Sequence, residues 1–298
     1  MRTVLNDVVA VTVTPFDAGG AVDLDANAKL VRRLVAAGVN VITPNGNTGE
    51  FYALSPAERR QVLESTVAAA GDGVTVVAGV GLDAVSAVES ARHARDVGAR
   101  MVMVHQPVHP YVSGEGWVAY HREIADAVPE LGVVPYIRSA RVTGAEVRRL
   151  GEQCPNVLGV KYAVPDPVRF ASVARDAGLD RFAWLCGLAE PYTPSYWAVG
   201  ARGFTSGLVT AAPSLTLRMR DALRAGDYPA AMRVWEAIRR FEELRGADAS
   251  ADNVSVVKEA LAQLGLCRRD VRPPSRALPE TVREEVAAIL AAWQGEEA

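Results

Sequence analysis

A lysine lies inside an otherwise apolar segment near the middle of the chain, Val157–Ala163 (VLGVKYA). If this segment is a strand that ends in an enclosed site, the side chain of Lys161 loses hydration there. Desolvation disfavours the ammonium form and leaves a free amine, which can attack a carbonyl carbon to form a Schiff base. The alternative is a structural lysine that reaches the surface or pairs with a carboxylate.

A tyrosine and two arginines occur in and just after another apolar run, VVPYIRSAR. A phenol within hydrogen-bond reach of an amine and a carbonyl can relay protons, so Tyr136 is a candidate for that role. It could equally be a tyrosine that only packs. Arg138 and Arg141 could bind a carboxylate through paired donors, or could be solvated loop residues.

Two further loops carry polar side chains. In the segment 45–50 (NGNTGE), glycines allow a close turn whose N–H groups can face an anion, and Asn47 and Thr48 add side-chain donors. The alternative is a glycine-rich turn with a purely structural role. His105 and His109 flank a proline-containing loop and raise the alternative of a metal-dependent mechanism, but no carboxylate stands at a helical offset from them. We therefore predict no metal and no organic cofactor.

Eight short β-branched runs, each followed by a helix-like stretch, would have to position these residues. The runs are Val8–Phe16, Val39–Gly46, Val74–Gly81, Arg100–Pro107, Gly132–Arg138, Val157–Ala163, Arg181–Gly187 and Ala201–Gly207. Most are apolar on both alternating faces, which is typical of buried parallel strands. This pattern predicts an α/β fold, a (β/α)8 TIM barrel, with a doubly wound open sheet as the alternative. In such barrels the reactive groups lie at the carboxyl ends of the strands.

Helix patterns fill the segments between and after the runs. Ser55, Pro56 and Glu58 form a capping box that predicts a helix from Pro56 to Ala70. The other predicted helices are Ala84–Val97, Trp117–Ala127, Gly144–Cys154, Asp166–Ala177, Leu215–Ala225, Pro229–Leu244, Val254–Leu264 and Thr281–Trp293. Four of these helices follow the last predicted strand, whereas a barrel needs only one helix after it. We therefore predict a catalytic barrel over residues 1–225 and a helical extension over 226–298, packed on the barrel.

The composition excludes several classes of protein. The chain has 298 residues, 49% hydrophobic and 22% charged, with a formal net charge of -3. This balance predicts a globular protein and provides no field to attract nucleic acid or an acidic membrane surface. No run of about 18 apolar residues occurs, so no membrane span is predicted. Three isolated cysteines favour a reduced, cytoplasmic setting.

Several blocks, in order and nearly end to end, resemble the dihydrodipicolinate synthase and N-acetylneuraminate lyase family. The blocks are VAVTVTPFD, NGNTGEFYALSPAER, VVPYIR, NVLGVKYA, GARGFTSGLVTAAP and VKEALAQLGLCRRDVRPP. The resemblance implies a TIM barrel with a helical C-terminal extension, commonly a homotetramer. It also implies that Lys161 is the Schiff-base lysine and that Tyr136 relays protons.

The same resemblance implies the residues that bind substrate. Asn47 and Thr48 would hold the carboxylate of a small 2-oxo acid, and Gly187 and Ser206 would line the pocket. No nucleic acid or membrane partner is implied, and a homo-oligomer, tetramer or dimer, is expected.

Three positions depart from the pattern of dihydrodipicolinate synthases, and a fourth keeps it. Asn47 replaces a relay threonine, and His109 occupies the place of a tyrosine that a neighbouring subunit donates, with Tyr111 nearby. Ile137 replaces an asparagine, and the substrate arginine five residues beyond the tyrosine corresponds to Arg141. These departures argue against an intact form of the proton relay that dihydrodipicolinate synthases use.

The stretch TGEFYAL at positions 48–54, together with Tyr136-Ile137-Arg138, is more similar to the 5-dehydro-4-deoxyglucarate dehydratase branch. That branch dehydrates and decarboxylates a sugar diacid through the same imine. We therefore predict a class I lyase that acts on a small 2-oxo acid, first as a dehydratase, with or without decarboxylation, of an acidic sugar. The alternatives are a dihydrodipicolinate synthase or another pyruvate aldolase, and a protein that binds a 2-oxo acid or sugar acid without turnover.

Overall fold

The computed structural model describes residues 2–297, with side chains through Gln294. The chain divides into two compact units. The first comprises the N-terminal residues through Val9, Asn40–Thr43 and Gly71–Thr205, and the second comprises Ala10–Val39, Pro44–Ala70 and the residues from Ser206 onward. The division predicted at residue 225 stays a prediction, and the outer ends of the two predicted domains, residues 1 and 298, lie outside the described residues.

Eight strands close into a barrel in sequence order, which confirms the predicted fold and excludes the open sheet. The strands are β1 Val8–Val11, β2 Val41–Thr43, β3 Thr75–Val80, β4 Met101–Val104, β5 Gly132–Ile137, β6 Gly159–Tyr162, β7 Ala183–Cys186 and β8 Gly203–Ser206. The pairings between successive strands from β2 to β8 are parallel. Each strand is shorter than its predicted run, because residues at one or both ends of each run lie in loops.

The α-helices alternate with the strands and then continue after the last strand. They are α1 Leu24–Ala36, α2 Pro56–Ala70, α3 Ala84–Asp96, α4 Gly114–Ala127, α5 Gly144–Gln153, α6 Pro167–Ala177, α7 Ala189–Ala198, α8 Pro213–Arg224, α9 Tyr228–Ser250, α10 Asn253–Gln263 and α11 Glu280–Glu297. All nine predicted helices are present. Helices α1 and α7 were not delimited from the sequence, and α7 carries a proline inside it, Pro194, which obscures a helix pattern.

Local hydrogen bonds explain where the helices begin. At α2 the predicted capping box forms: the Ser55 N–H donates to Glu58 Oε2 (2.8 Å) and the Glu58 N–H donates to Ser55 Oγ (3.3 Å). Helix α4 begins three residues before the predicted Trp117, because Ser113 caps it by accepting from the N–H of Gly116 (3.0 Å). Two glycines in its first turn, weak helix formers, concealed this start from the sequence pattern.

The first unit contains a core that fills the barrel interior. The cluster consists of Leu5, Val9, Val41, Val77, Met101, Met103, Val134, Tyr136, Ala163, Ala183 and Leu185. Every strand residue is buried, as expected for parallel strands that are covered on both faces. Tyr136 carries the hydroxyl group of this otherwise apolar cluster.

The helices of the second unit include α8 to α11. Helix α9 extends past the predicted end at Leu244 and bends at residues 247–249, where the backbone leaves the helical conformation. No helix in the described part of the chain is long and apolar enough to span a bilayer.

Candidate active site

Lys161 lies inside the barrel, next to Tyr136. On β6 it is in register with Tyr136 of β5 on one side and with Leu185 of β7 on the other, and both neighbours belong to the interior core. Its Nζ lies 4.1 Å from the centroid of the Tyr136 ring. Only 4% of the lysine surface is exposed. The structure therefore brings the predicted nucleophile and the predicted proton relay into contact in a dry environment.

Burial changes the ionisation of this amine. The pKa of Lys161 is lowered to about 7, first by burial and then by the positive charge of Arg138. The face of the Tyr136 ring attracts an ammonium group and opposes this change, but such contacts contribute about 0.5–2 kcal/mol. Desolvation of a buried lysine can lower the pKa by about 3–5 units, or roughly 4–7 kcal/mol, and so dominates. A substantial fraction of Lys161 is therefore a free amine at neutral pH.

Gly187 leaves room for the lysine stem. A Cβ at this position would lie 3.0 Å from Lys161 Cγ and 2.8 Å from Ala163 Cβ, both tighter than ordinary contacts. The predicted pocket glycine thus packs directly beside the lysine, and its lack of a side chain lets β6 and the end of β7 approach each other.

Two buried residues beside this pair received no catalytic role from the sequence. His105, fully buried at the end of β4, has its ring centroid 6.1 Å from that of Tyr136. Cys186 of β7 is also buried, and burial raises the pKa of its thiol to about 12, so it is neutral beside Lys161. Both residues lie at strand ends, where reactive groups of a barrel are expected, and this position could have marked them as site residues. From sequence, His105 was considered only as a metal ligand.

The loops after β4 and β5 form a cavity of about 230 Å³. Its lining consists of Gln106, His109, Pro110, Val112, Ser113, Gly114, Trp117, Ser139, Arg141 and Val142. The structure therefore brings the predicted substrate residues Arg141 and His109 to one cavity. Arg138 does not line it: its side chain is exposed, while its backbone N–H donates to Gln106 Oε1 (2.9 Å). His109 is exposed, and its Nδ1 accepts from the N–H of Tyr111 (3.1 Å).

In the second unit, the turn after β2 presents Asn47 and Thr48. Thr48 is buried and Asn47 is half-buried. Among the described residues, none donates to the buried Oδ1 of Asn47. Gly49 is held in place because its carbonyl accepts from Thr14 Oγ1 (2.8 Å). The turn therefore presents an amide oxygen that is unbonded within the described residues, and a buried threonine, on a hydrogen-bonded backbone.

The end of β8 lies against the same turn. The predicted pocket residue Ser206 is buried, and its Oγ accepts from the N–H of Val209 (2.9 Å). A Cβ on the next residue, Gly207, would lie 3.2 Å from Thr48 Cγ2 and 2.6 Å from Nη2 of Arg245. Ser206 therefore orients the backbone that packs on Thr48, and a buried arginine, which the sequence did not single out, lies beside them.

Within the described part of the chain, no three His, Cys, Asp or Glu side chains form a cluster that could hold a metal ion.

The pKa of Lys161 leads to a testable pH dependence. Only the unprotonated amine attacks a ketone, so the initial rate of imine formation should rise with pH through a midpoint near 7. Because the charge of Arg138 lowers this pKa, Arg138→Gln should move the midpoint to higher pH. The rate is measured by quenching incubations with pyruvate at successive times with borohydride and determining the fraction of modified protein by intact-mass spectrometry. Arg148→Gln removes an exposed charge from α5 and serves as control. A wild-type rate that is still rising at pH 9 would contradict the assignment.

The chain is similar over nearly its whole length to known proteins. A model of the dihydrodipicolinate synthetase family matches residues 4–293. The chain belongs to this family. The 4-hydroxy-tetrahydrodipicolinate synthase of Phenylobacterium zucineum (strain HLK1) is 36% identical over 288 residues, which are 95% of each chain. A probable 5-dehydro-4-deoxyglucarate dehydratase of Acinetobacter baumannii (strain AB307-0294) is 27% identical over 98% of this chain and 97% of its own. The crystal structure of dihydrodipicolinate synthase from Oceanobacillus iheyensis superposes with a TM-score of 0.94 at 34% identity, covering 99% of this chain and 98% of that one.

Membership of the dihydrodipicolinate synthetase family makes the chain an enzyme, a class I lyase of the Schiff-base type. The family acts on small 2-oxo acids. The relatives include both synthases and dehydratases, so the comparisons support the family chemistry and leave the reaction to be proposed.

Proposed function

We propose that this lyase condenses Lys161 with the ketone of an acidic 2-oxo sugar acid and expels water from it, with or without loss of carbon dioxide. The observation that carries the proposal is the buried Lys161 amine, with Nζ 4.1 Å from the ring of Tyr136. The stretch TGEFYAL and the dehydratase relatives support a substrate that resembles 5-dehydro-4-deoxyglucarate.

The proposed reaction runs through an imine. The lone pair of Nζ attacks the ketone carbon, and the carbinolamine loses water to give a protonated imine, which draws electrons from the adjacent carbon. Loss of a proton from that carbon gives an enamine. The hydroxyl group on the next carbon is then protonated, and the enamine expels it as water. This leaves a conjugated protonated imine. Where carbon dioxide is also lost, the electron pair of the bond to the distal carboxylate passes into the conjugated imine, and the resulting dienamine is protonated on carbon. Hydrolysis of the imine then restores the amine. Tyr136 is the proposed donor and acceptor of the protons.

Binding would use two sets of residues. Asn47 and Thr48 are proposed to hold the carboxylate next to the ketone, with Ser206 and Gly187 shaping the pocket. Arg141 and His109, which line the 230 Å³ cavity, are proposed to receive the distal acidic group, and Arg138 to add positive charge. A second carboxylate is what separates a sugar diacid from a simple 2-oxo acid, so a cavity with an arginine supports the acidic-sugar substrate.

A second candidate is a pyruvate aldolase of the 4-hydroxy-tetrahydrodipicolinate synthase kind. The 36% identity to the synthase of P. zucineum favours it. Both reactions share the first imine and differ in the fate of the enamine: in the aldolase it adds to an aldehyde, whereas in the dehydratase it expels a hydroxyl group. The predicted homo-oligomer and cytoplasmic location stay predictions.

Borohydride trapping tests the proposal sharply, because the sequence contains only three lysines, Lys29, Lys161 and Lys258. Incubation with pyruvate and borohydride should add one reduced pyruvate, and peptide mass mapping should place it on Lys161. Exposed Lys29 and buried Lys258 are internal controls. Binding of a 2-oxo acid without any adduct would contradict the Schiff-base chemistry.

A panel of substrates then separates the two reactions. Acidic 2-oxo sugar acids are tested for release of water and carbon dioxide, and pyruvate is tested with a set of aldehydes. If turnover occurs only with pyruvate and aspartate semialdehyde, the dehydratase proposal is wrong and the synthase candidate is correct.

A further inference from the structure

We propose that the buried ion pair between Glu50 and Lys258 is a positioning device that holds the Asn47–Thr48 turn in the form that binds the substrate carboxylate. The proposal rests on the proposed function, since it concerns the same carboxylate. It assigns a role to a glutamate and a lysine that stand more than two hundred residues apart in the sequence.

Glu50 is held by contacts to both of its carboxylate oxygens. Oε2 lies 2.5 Å from Lys258 Nζ, with 2% and 0% of the two side chains exposed. Oε1 accepts from the backbone N–H of Arg272 (2.8 Å). Buried charges of this kind are costly unless they are paired and hydrogen-bonded, so the carboxylate cannot leave this place without stranding Lys258.

Lys258 is fixed in turn by its own surroundings. Its Nζ donates to the carbonyl of Asp270 (2.7 Å) and lies 3.9 Å from the centroid of the Phe16 ring. The guanidinium group of Arg272 lies near the same ring (4.3 Å to its centroid) and pairs with Glu58. The segment around Asp270 and Arg272 therefore contacts both Lys258 and the glutamate.

The backbone of the turn explains why an anchor is needed. Glu50 has a φ of 57°, in the left-handed region that residues other than glycine rarely adopt. Its N–H donates to the carbonyl of Asn47 (3.0 Å), which closes the turn around Thr48. A strained conformation of this kind persists only where the surroundings hold it, and such positions cluster at binding sites. The Lys258 contact supplies that hold, and Thr48, two residues away, depends on it for its orientation.

Substitutions separate this role from a general effect on folding. Lys258→Met keeps the length of the side chain and removes the charge, and the double variant Glu50→Gln/Lys258→Met leaves no unpaired charge in the interior. The matched control is Asp252→Asn, which breaks the Asp252–Arg276 ion pair in the same unit but leaves the turn untouched. Circular dichroism and thermal unfolding identify the variants that fold, and the double variant is used if Lys258→Met does not.

The readout compares two ketones in the borohydride trapping assay. Pyruvate carries the carboxylate, whereas methyl pyruvate presents the same ketone without that charge. The variants should raise the pyruvate concentration for half-maximal trapping by about tenfold to a hundredfold, the range for losing one charge-assisted hydrogen bond. The value for methyl pyruvate should change by less than about twofold, and Asp252→Asn should leave both values unchanged.

Two results would overturn the inference: equal losses for acid and ester in the variants, or no loss for either. Failure of the proposed function itself is recognised separately, because then the wild-type protein would trap neither ketone on Lys161.

Discussion

Lys161→Arg is expected to abolish borohydride trapping and to lower kcat by about 10⁴-fold or more, the scale seen when an enzyme loses its nucleophile. Arginine keeps a positive charge and a long stem, but its guanidinium group remains protonated and does not form an imine with a ketone. Trapping is followed by intact mass, and turnover is followed on whichever acidic 2-oxo acid the substrate panel identifies.

The controls for this prediction come from the other two lysines. Lys29→Arg alters an exposed residue of α1 and should leave trapping and turnover as in the wild type. Lys161→Met tests whether an uncharged side chain of similar length gives the same loss. Trapping of Lys161→Arg at a rate close to that of the wild type, with the adduct on Lys29 or Lys258, would show that the nucleophile lies elsewhere.

Tyr136→Phe is expected to lower kcat by about 10²- to 10⁴-fold, the range for a general acid or base. The phenylalanine ring keeps the contact with Lys161 Nζ, so the amine stays buried, and the substitution removes no group that is proposed to bind the substrate carboxylate. KM for the 2-oxo acid should therefore change little. Steady-state kinetics give kcat and KM, and rapid quenching with borohydride measures whether imine formation is the slowed step.

Tyr162→Phe is the matched control for the phenol. Tyr162 follows Lys161 on β6, is fully buried, and packs against Phe170 and Tyr196 (ring centroids 5.5 and 6.5 Å) rather than against the interior core. Its substitution should leave kcat close to that of the wild type, because its ring packs away from the Lys161 amine. If both variants lose activity to the same degree, the hydroxyl of Tyr136 has no specific part in proton transfer.

The sequence pattern predicted much of the fold because the signals were local and repeated. Eight apolar runs separated by helix patterns leave few ways to bury every strand on both faces, and a closed parallel barrel is one of them. The capping box at Ser55 located the start of α2 to the residue. Glycines in the first turn of α4 and a proline inside α7 weakened the corresponding signals, so that helix start was misplaced and α7 was not delimited.

The candidate nucleophile could also be proposed from sequence, because a lysine in an apolar strand must either pair with a carboxylate or lie unpaired in a site that excludes water. The sequence could not decide between these states. Lys161 and Lys258 both interrupt apolar stretches, and only the structure distinguishes them: the first lies against a tyrosine ring, and the second pairs with Glu50 at 2.5 Å. The difference arises from residues that are distant along the chain.

By itself the sequence determined the barrel, the strand that carries Lys161, and the family whose motifs surround it, since each depends on residue order over short distances. Only the tertiary structure decided the ionisation of Lys161, because its pKa depends on burial and on the charge of Arg138 across the barrel strands. The same holds for the turn at Thr48: Glu50, two residues on and in the left-handed region, is held by the Lys258 side chain and the backbone N–H of Arg272, which folding brings from the far end of the chain. Electrostatic and steric effects of this kind act through space, and no local pattern of residues records them.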